Sequence, residues 1–284
     1  MELSTKTTPN IYIEGNGYIA IIFMAGSGIT SPILEYKALY SKLSDEYKIA
    51  VVEKPGYGFS GPMSTKRTVE NMVEESRTAL AKAGVNPPYV LAPHSYSGLE
   101  AVYWANNYPD EVVAMIGIDM VFPNFALSQG EEISQDKKIA MVKKQKKMMT
   151  TIAKQGLISN MFKKKTVDAS GLMSGNILSE SEKKIYNELY YKNITNEEVF
   201  EESILATENA QKASGGGVIK CPACFFISNM RGMVKRLTWQ DAGKEYAQQC
   251  GGEVHMTDRG HMFYNFIPDE VARTIKDFLE KLKL

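Results

Sequence analysis

A chain of 284 residues holds one large domain or two modest ones. Its 44% hydrophobic and 23% charged residues are those of a globular protein, which excludes a disordered chain, a collagen-like repeat and a small disulfide scaffold. Lys and Arg number 33 and so do Asp and Glu; this zero net charge speaks against a nucleic-acid footprint, which needs a basic excess. Residues 1–6 lack the basic-then-apolar layout of a signal peptide, and no stretch approaches the roughly 18 apolar residues of a membrane helix. Three cysteines fit a reducing compartment, so the expectation is a soluble cytoplasmic protein without a membrane span.

Residues 18–24 are continuously apolar and rich in β-branched side chains, and they run into Gly26-Ser27-Gly28, which predicts a strand buried on both faces. Residues 47–52, 89–92 and 112–118 predict three more strands of the same kind. Between them a helix is expected from its N-cap Thr68 to Gly84, with Met72, Val73, Ala79, Leu80 and Ala83 on one face. Such alternation predicts an α/β fold with a mainly parallel, doubly wound sheet. Past Pro123 the pattern changes, and residues 124–214 read as helical with no strand signal. Lysines gather in residues 131–165 and carboxylates in 166–208, read as two solvated helix faces or as an anion- or membrane-attracting surface. After Gly215-Gly216-Gly217 the alternation resumes, with strands at 223–228 and 253–256 and helices at 238–249 and 268–284. The expected organisation is a sheet core from residues 1–122 and 219–284 interrupted by a helical insert at 123–218.

The chemistry concentrates in Leu91-Ala92-Pro93-His94-Ser95-Tyr96-Ser97-Gly98-Leu99, an apolar strand that turns into a helix carrying Val102, Trp104 and Ala105. A serine at such a tight turn is pushed out at the carboxyl edge of the sheet, where backbone N–H groups can stabilise an oxyanion. The crowded turn wants small neighbours. Ser97 meets that demand, Gly98 lets the helix pack closely, and Pro93 stands where glycine is usual. The alternative role for Ser95 is a helix cap. Residues 23–28 follow an early strand, where a second oxyanion N–H is expected, and residues 53–61 add a glycine-rich turn.

A serine needs a base to attack near neutral pH, and the chain offers three histidines. His94 adjoins Ser95 and should turn its ring away, and His255 lies inside a strand pattern, so both read as structural. His261, in Asp258-Arg259-Gly260-His261-Met262-Phe263, follows the last strand and therefore shares the carboxyl edge with Ser95. Cys221-Pro222-Ala223-Cys224 has redox spacing but enters a strand, not a helix N-terminus, and it lacks companions for zinc, so its cysteines read as structural. No phosphate loop or metal-ligand cluster is visible, and no cofactor is expected.

An oxyanion loop, the Pro55-Gly56-Tyr57-Gly58-Phe59-Ser60 turn, the His94-Ser95-Tyr96-Ser97-Gly98 elbow and a late Gly260-His261, in that order, resemble the α/β-hydrolase superfamily. More narrowly they resemble its bacterial capped-esterase and proline-iminopeptidase-like branch. The resemblance covers residues 18–122 and 219–284 and departs from the family pattern at Ala25, where histidine is frequent, and at Pro93. It implies a helical cap over 123–218, Ser95 as nucleophile, His261 as base, and the backbone N–H groups of Ser27 and Tyr96 as oxyanion hole. The triad acid usually follows the strand after the cap, but residues 226–231 carry no carboxylate. Asp241 lies well into a helical pattern, and Asp258 is too near His261 along the chain. Asp119 ends the strand before the insert, where some branches place their acid, so it is the expected partner of His261 Nδ1; its alternative role is to cap the crossover.

The resulting expectation is a serine hydrolase that cleaves a small carboxylic ester through an acyl-enzyme. Dehalogenase and epoxide-hydrolase chemistry is disfavoured because both use a carboxylate where this chain has Ser95. The alternatives are an aminopeptidase or amidase whose Glu197, Glu198, Glu201 and Glu202 hold a substrate amine, and a ligand-binding protein with little turnover. The partner expected is a small-molecule ester or amide. Met141, Met148, Met149, Met161 and Met173 in the insert favour a permissive apolar pocket.

Overall fold

Ala20–Met24 is apolar and buried at every position, as a strand covered on both faces must be. Its side chains divide by parity: Ala20, Ile22 and Met24 enter one apolar core, and Ile21 and Phe23 enter a second on the other side of the sheet. A computed structural model describes residues 8–62, 64–131, 134–156, 170–230 and 236–284. In it the strands β1 (Asn10–Glu14), β2 (Ala20–Met24), β3 (Lys48–Glu53), β4 (Tyr89–Pro93), β5 (Val112–Ile118), β6 (Ala223–Ile227) and β7 (Glu253–Met256) form one seven-stranded sheet. Their order is β1-β3-β2-β4-β5-β6-β7, with β1 antiparallel to β3 and the other neighbours parallel.

Two expected strand boundaries shift. Tyr18 is 91% exposed and lies outside β2, and the strand expected at 47–52 runs one residue later as β3. The chain passes from β2 to β3 on one side and returns to β4 on the other, so the carboxyl ends of β2 and β4 meet at the switch point where ligands bind in open α/β sheets.

The helices α1 (Pro32–Glu35) and α2 (Lys37–Tyr40) follow β2. Next come α3 (Val69–Lys82), whose N-cap Thr68 accepts a hydrogen bond from the Asn71 N–H, and α4 (Ser97–Asn107). Between β5 and β6 lie α5 (Pro123–Glu131), α6 (Gln135–Gly156), α7 (Glu180–Asn193) and α8 (Glu197–Ser214), with no strand among the described residues there. Then α9 (Arg236–Cys250) precedes β7, and α10 (Pro268–Lys281) ends the chain. Met161 and Arg231 fall outside the described residues. No helix among the described residues is long and apolar enough to cross a membrane.

Two buried ionisable groups tie the helices of the insert to the rest of the fold. Lys54, just past β3, is 2% exposed and pairs with Glu100 on α4 at 2.7 Å and Glu202 on α8 at 3.1 Å. Burial alone would lower this ammonium, but Glu100 and Glu202 reverse the effect and hold it above its ordinary value. Glu202 is thus fully buried and neutralised, which corrects the solvated-face reading of residues 166–208 at this position. Glu35, at the end of α1, accepts from Tyr186 Oη on α7 at 2.7 Å and from Asn265 Nδ2 at 2.9 Å. Among the described residues its partners are neutral donors, and burial pushes its carboxyl up to about 7.

Lys54→Met would leave Glu100 and Glu202 buried without their cation, and urea unfolding should show a loss of about 3–5 kcal/mol. For Glu35 the folded value lies above the ordinary 4.5, so the native state holds its proton more tightly than the unfolded chain. Its contribution is complete below pH 4.5 and is lost as pH rises through about 7, on the order of 3 kcal/mol in all. The stability difference between wild type and Glu35→Gln should therefore shift by that amount between pH 4.5 and 8. Parallel pH profiles for the two proteins would contradict it.

Candidate active site

β2 and β4 run side by side with Met24 opposite Pro93, so the loops that leave them are level. Ser95 stands two residues past β4 in the left-handed region, φ 55°, where a serine is strained. Two main-chain bonds fix it: its carbonyl accepts from Gly98 N–H at 3.0 Å and from Val121 N–H at 2.7 Å. Ser97, the small residue the turn requires, donates its hydroxyl to the Met24 carbonyl at 2.7 Å and accepts from His94 N–H at 3.0 Å. Gly26 faces the turn so closely that a Cβ there would lie 2.6 Å from Ser95 Cβ. The Ser95 hydroxyl is not a cap: the N-cap of α4 is Tyr96, and no side chain caps that end.

The donors expected to form an anion site lie on either side of this serine. Gly26 N–H is directed to Tyr36 Oη and Gly28 N–H to Tyr57 Oη, each at 3.4 Å. Between them the Ser27 N–H has no backbone acceptor among the described residues, and the Tyr96 N–H has none either. Two N–H groups without a backbone acceptor, beside a serine at a helix N-terminus, are donors of the kind an oxyanion can use.

Asp119 directly follows β5 and lies in the left-handed region, φ 46°. The carboxylate is fully buried and accepts four hydrogen bonds. Oδ1 takes Ser228 N–H at 2.8 Å and Trp239 Nε1–H at 2.9 Å, while Oδ2 takes the Ser228 hydroxyl at 2.6 Å and His261 Nδ1 at 2.6 Å. Thus Asp119 and His261, 142 residues apart, are in direct contact, and none of the four bonds to Asp119 comes from α5, the helix that opens the crossover. The imidazole meets two rings, His94 at 4.6 Å and tilted by 35°, and Trp239 edge-on at 6.1 Å.

His94 is 1% exposed, its Nδ1 bonded to Tyr36 Oη at 3.2 Å. Burial, reinforced by the neighbouring His261, pushes it well below the ordinary histidine value, so it remains a neutral ring. Among the described residues no hydrogen bond joins Ser95 Oγ to His261; His94 precedes Ser95 in the chain, and its ring lies 4.6 Å from that of His261. A cavity of about 530 Å³ opens beside His261, lined also by Gly28, Glu35, Tyr186 and Met262.

The remaining candidates sit apart from this edge. His255 lies in β7 with its ring against Phe226, 5.4 Å between centroids. Cys221 and Cys224 are free thiols pushed up by burial to about 11 and 12 respectively, far from the thiolate a redox pair needs. No group of His, Cys, Asp or Glu suited to a metal ion occurs among the described residues. Sequence reasoning missed Ser228, Trp239 and Tyr36, which orient the acid and the elbow. The one available signal was Ser228 closing the strand pattern beside the one that ends in Asp119.

No family model matches the chain. It is 30% identical to the Bacillus subtilis protein YbdG over 284 residues, which cover 96% of this chain and 83% of that protein. Among solved structures it resembles an enol-lactonase from Burkholderia xenovorans at 14% identity and a TM-score of 0.68, covering 97% of this chain and 98% of the other. An epoxide hydrolase from Bacillus megaterium matches at 16% identity, 96% of each chain and a TM-score of 0.69. A thermophilic esterase from Thermogutta terrifontis matches at 17%, with 96% and 93% covered and a TM-score of 0.63. With this sheet order and these structural neighbours the chain has the α/β-hydrolase fold, and it belongs to the family of YbdG.

Proposed function

We propose that this protein is a serine hydrolase that cleaves a carboxylic ester, with Ser95, His261 and Asp119 as its triad and residues 123–218 as a cap over the core of 1–122 and 219–284. The observation that carries the reading is the 2.6 Å contact between buried Asp119 and His261, at the sheet edge that also bears a strained serine whose hydroxyl caps no helix. Solved hydrolases of the same fold, an esterase and an enol-lactonase among them, support the general reaction class.

The chemistry follows from the roles. His261 Nε2 removes the Ser95 proton as Oγ bonds to the acyl carbon, and the carbonyl electrons move onto oxygen. That oxyanion lies against the N–H groups of Ser27 and Tyr96. As the tetrahedral carbon collapses, its bond to the alcohol oxygen breaks and the imidazolium returns the proton to that oxygen. Water, deprotonated by the same imidazole, then releases the acid and frees Ser95. Asp119 accepts from Nδ1–H throughout, which fixes the tautomer and offsets the imidazolium charge. His94, held neutral, adds no second positive charge beside it.

A fluorophosphonate probe should label wild type at Ser95, and neither Ser95→Ala nor His261→Ala should be labelled. Asp119→Asn should fold yet lose about 10⁴-fold in kcat on an activated ester, because it traps the wrong tautomer. Near-normal turnover by Asp119→Asn would remove it from the triad, and an unlabelled, folded wild type would favour a binding protein.

A further inference from the structure

The two candidate oxyanion donors belong to separate stretches of chain, Ser27 to the loop after β2 and Tyr96 to the turn that opens α4. Their N–H groups can serve one oxygen only if those stretches keep their spacing, and a displacement of about 1 Å can cost on the order of 10²-fold in rate. Behind both stands one residue of α8. Tyr57, in the glycine-rich turn after β3, accepts from Gly28 N–H at 3.4 Å, next to Ser27, and donates its hydroxyl to Glu202 Oε2 at 2.7 Å. Tyr96 donates its own hydroxyl to the Glu202 carbonyl at 2.9 Å. Glu202 thus holds the support of one donor through its side chain and the carrier of the other through its backbone.

The contact is a firm one. Glu202 is fully buried, and its Oε1 lies 3.1 Å from Lys54 Nζ. That ammonium stands 4.9 Å from the centre of the Tyr57 ring and 5.9 Å from that of Tyr96. A hydrogen bond accepted by an ionised carboxylate is roughly twice as strong as one between neutral groups. The turn that bears Tyr57 is also joined to the Ser27 loop. Gly58 N–H donates to the Thr30 carbonyl at 3.0 Å, and Asn193 Nδ2, at the end of α7, donates to the carbonyls of Thr30 and Gly58 at 2.8 and 2.9 Å. Resting on the hydrolase reading above, we infer that Glu202 is a positioning residue for the oxyanion hole. It sets the spacing of the Ser27 and Tyr96 N–H groups through Tyr57 and Tyr96, so the hole is complete only while α8 is docked on the core.

The competing role for Glu202 is countercharge to Lys54, and Glu100 provides the control. It lies 2.7 Å from Lys54 Nζ but receives neither tyrosine hydroxyl, since both donate to Glu202. On p-nitrophenyl acetate, Glu202→Met and Tyr57→Phe should each lower kcat about 10- to 100-fold, less than deleting an oxyanion donor outright. Acylation and deacylation both pass through the oxyanion, so KM should change by less than about threefold. The double variant should be no slower than the slower single one, because both changes act through one contact. Glu100→Gln should keep the wild-type kcat.

Trifluoroacetone supplies a readout that a purely structural role would not move. Its carbonyl carbon bonds to Ser95 Oγ, the Ser95 proton passes to His261 Nε2, and the negative charge rests on the oxygen in the hole. Its affinity should fall in Glu202→Met and Tyr57→Phe by the factor lost in kcat/KM, and be unchanged in Glu100→Gln. If Glu202→Met fails to fold, Tyr57→Phe decides, since it keeps every buried charge in place. Wild-type kcat in Tyr57→Phe, a ketone affinity that does not follow kcat/KM, or an equal loss in Glu100→Gln would each overturn the inference and leave the hydrolase reading intact. A folded wild type with neither turnover nor fluorophosphonate labelling would overturn the hydrolase reading, and this inference with it.

Discussion

Burying an ionised carboxylate costs several kcal/mol unless hydrogen bonds replace its hydration, and at Asp119 they do so completely. Each oxygen accepts two donors, and the donors arrive from three separate places: Ser228 at the end of β6, Trp239 on α9 and His261 in the loop after β7. Because β5, β6 and β7 lie adjacent in the sheet, the register Ile118–Phe226 and Ile227–Met256 brings Asp119, Ser228 and the loop of His261 to the same carboxyl edge. One charge thereby fixes the far half of the molecule. His261 cannot move without leaving Asp119 short of a donor, and α9 cannot shift without withdrawing its indole.

The near half is fixed by a second set of buried charges with the opposite architecture, in which a cation is surrounded by anions. Lys54 reaches Glu100 on the helix that starts at the elbow and Glu202 on α8 of the insert. Tyr96 is caught in the same arrangement. Its hydroxyl donates to the Glu202 carbonyl at 2.9 Å and accepts from Asn209 Nδ2 at 2.8 Å. The residue whose N–H faces the proposed oxyanion is therefore clamped by α8. Tyr57 extends the link, with its hydroxyl on Glu202 Oε2 at 2.7 Å and within 3.4 Å of Gly28 N–H. The insert is tied to both loops that carry the candidate oxyanion donors, so α8 acts on the site directly and not only as a cover.

These two halves differ in how far the sequence discloses them. The strands at the centre of the sheet were legible because burial on both faces leaves an uninterrupted apolar run, as in AIIFM and VVAMIGI. β1 escaped because it is a half-buried edge strand, NIYIE, whose short polar-apolar alternation looks like many loops. Ser95 and His261 were legible for a topological reason, since every parallel strand delivers its following loop to one edge. Asp119 was reached by the same reasoning after its rivals had failed. The supports were not legible. Glu35 reads as one polar residue in a short helix, and its burial depends on Tyr186 and Asn265, 151 and 230 residues away. Trp239 reads as a core residue of an amphipathic helix, and only the packed structure turns its N–H toward Asp119.

The glutamates of α8 bear on the choice between ester and amine chemistry. A site that selects an ammonium group needs a carboxylate whose charge is still available to it. Glu202 is already met by Lys54 in a dry interior, where a substrate cation would have to displace a fixed one. Glu197 pairs with Lys146 with its own side chain 74% exposed, on the outer surface of the insert. Glu35 lines the cavity beside His261, but with four neutral donors around it and a carboxyl pushed to about 7 it is close to half-protonated at neutral pH. Neither Glu202 nor Glu35 presents a committed negative charge to a bound amine, and Glu197 lies outside the cavity beside His261. At these positions the proposed ester is a better match than a substrate held by its ammonium group.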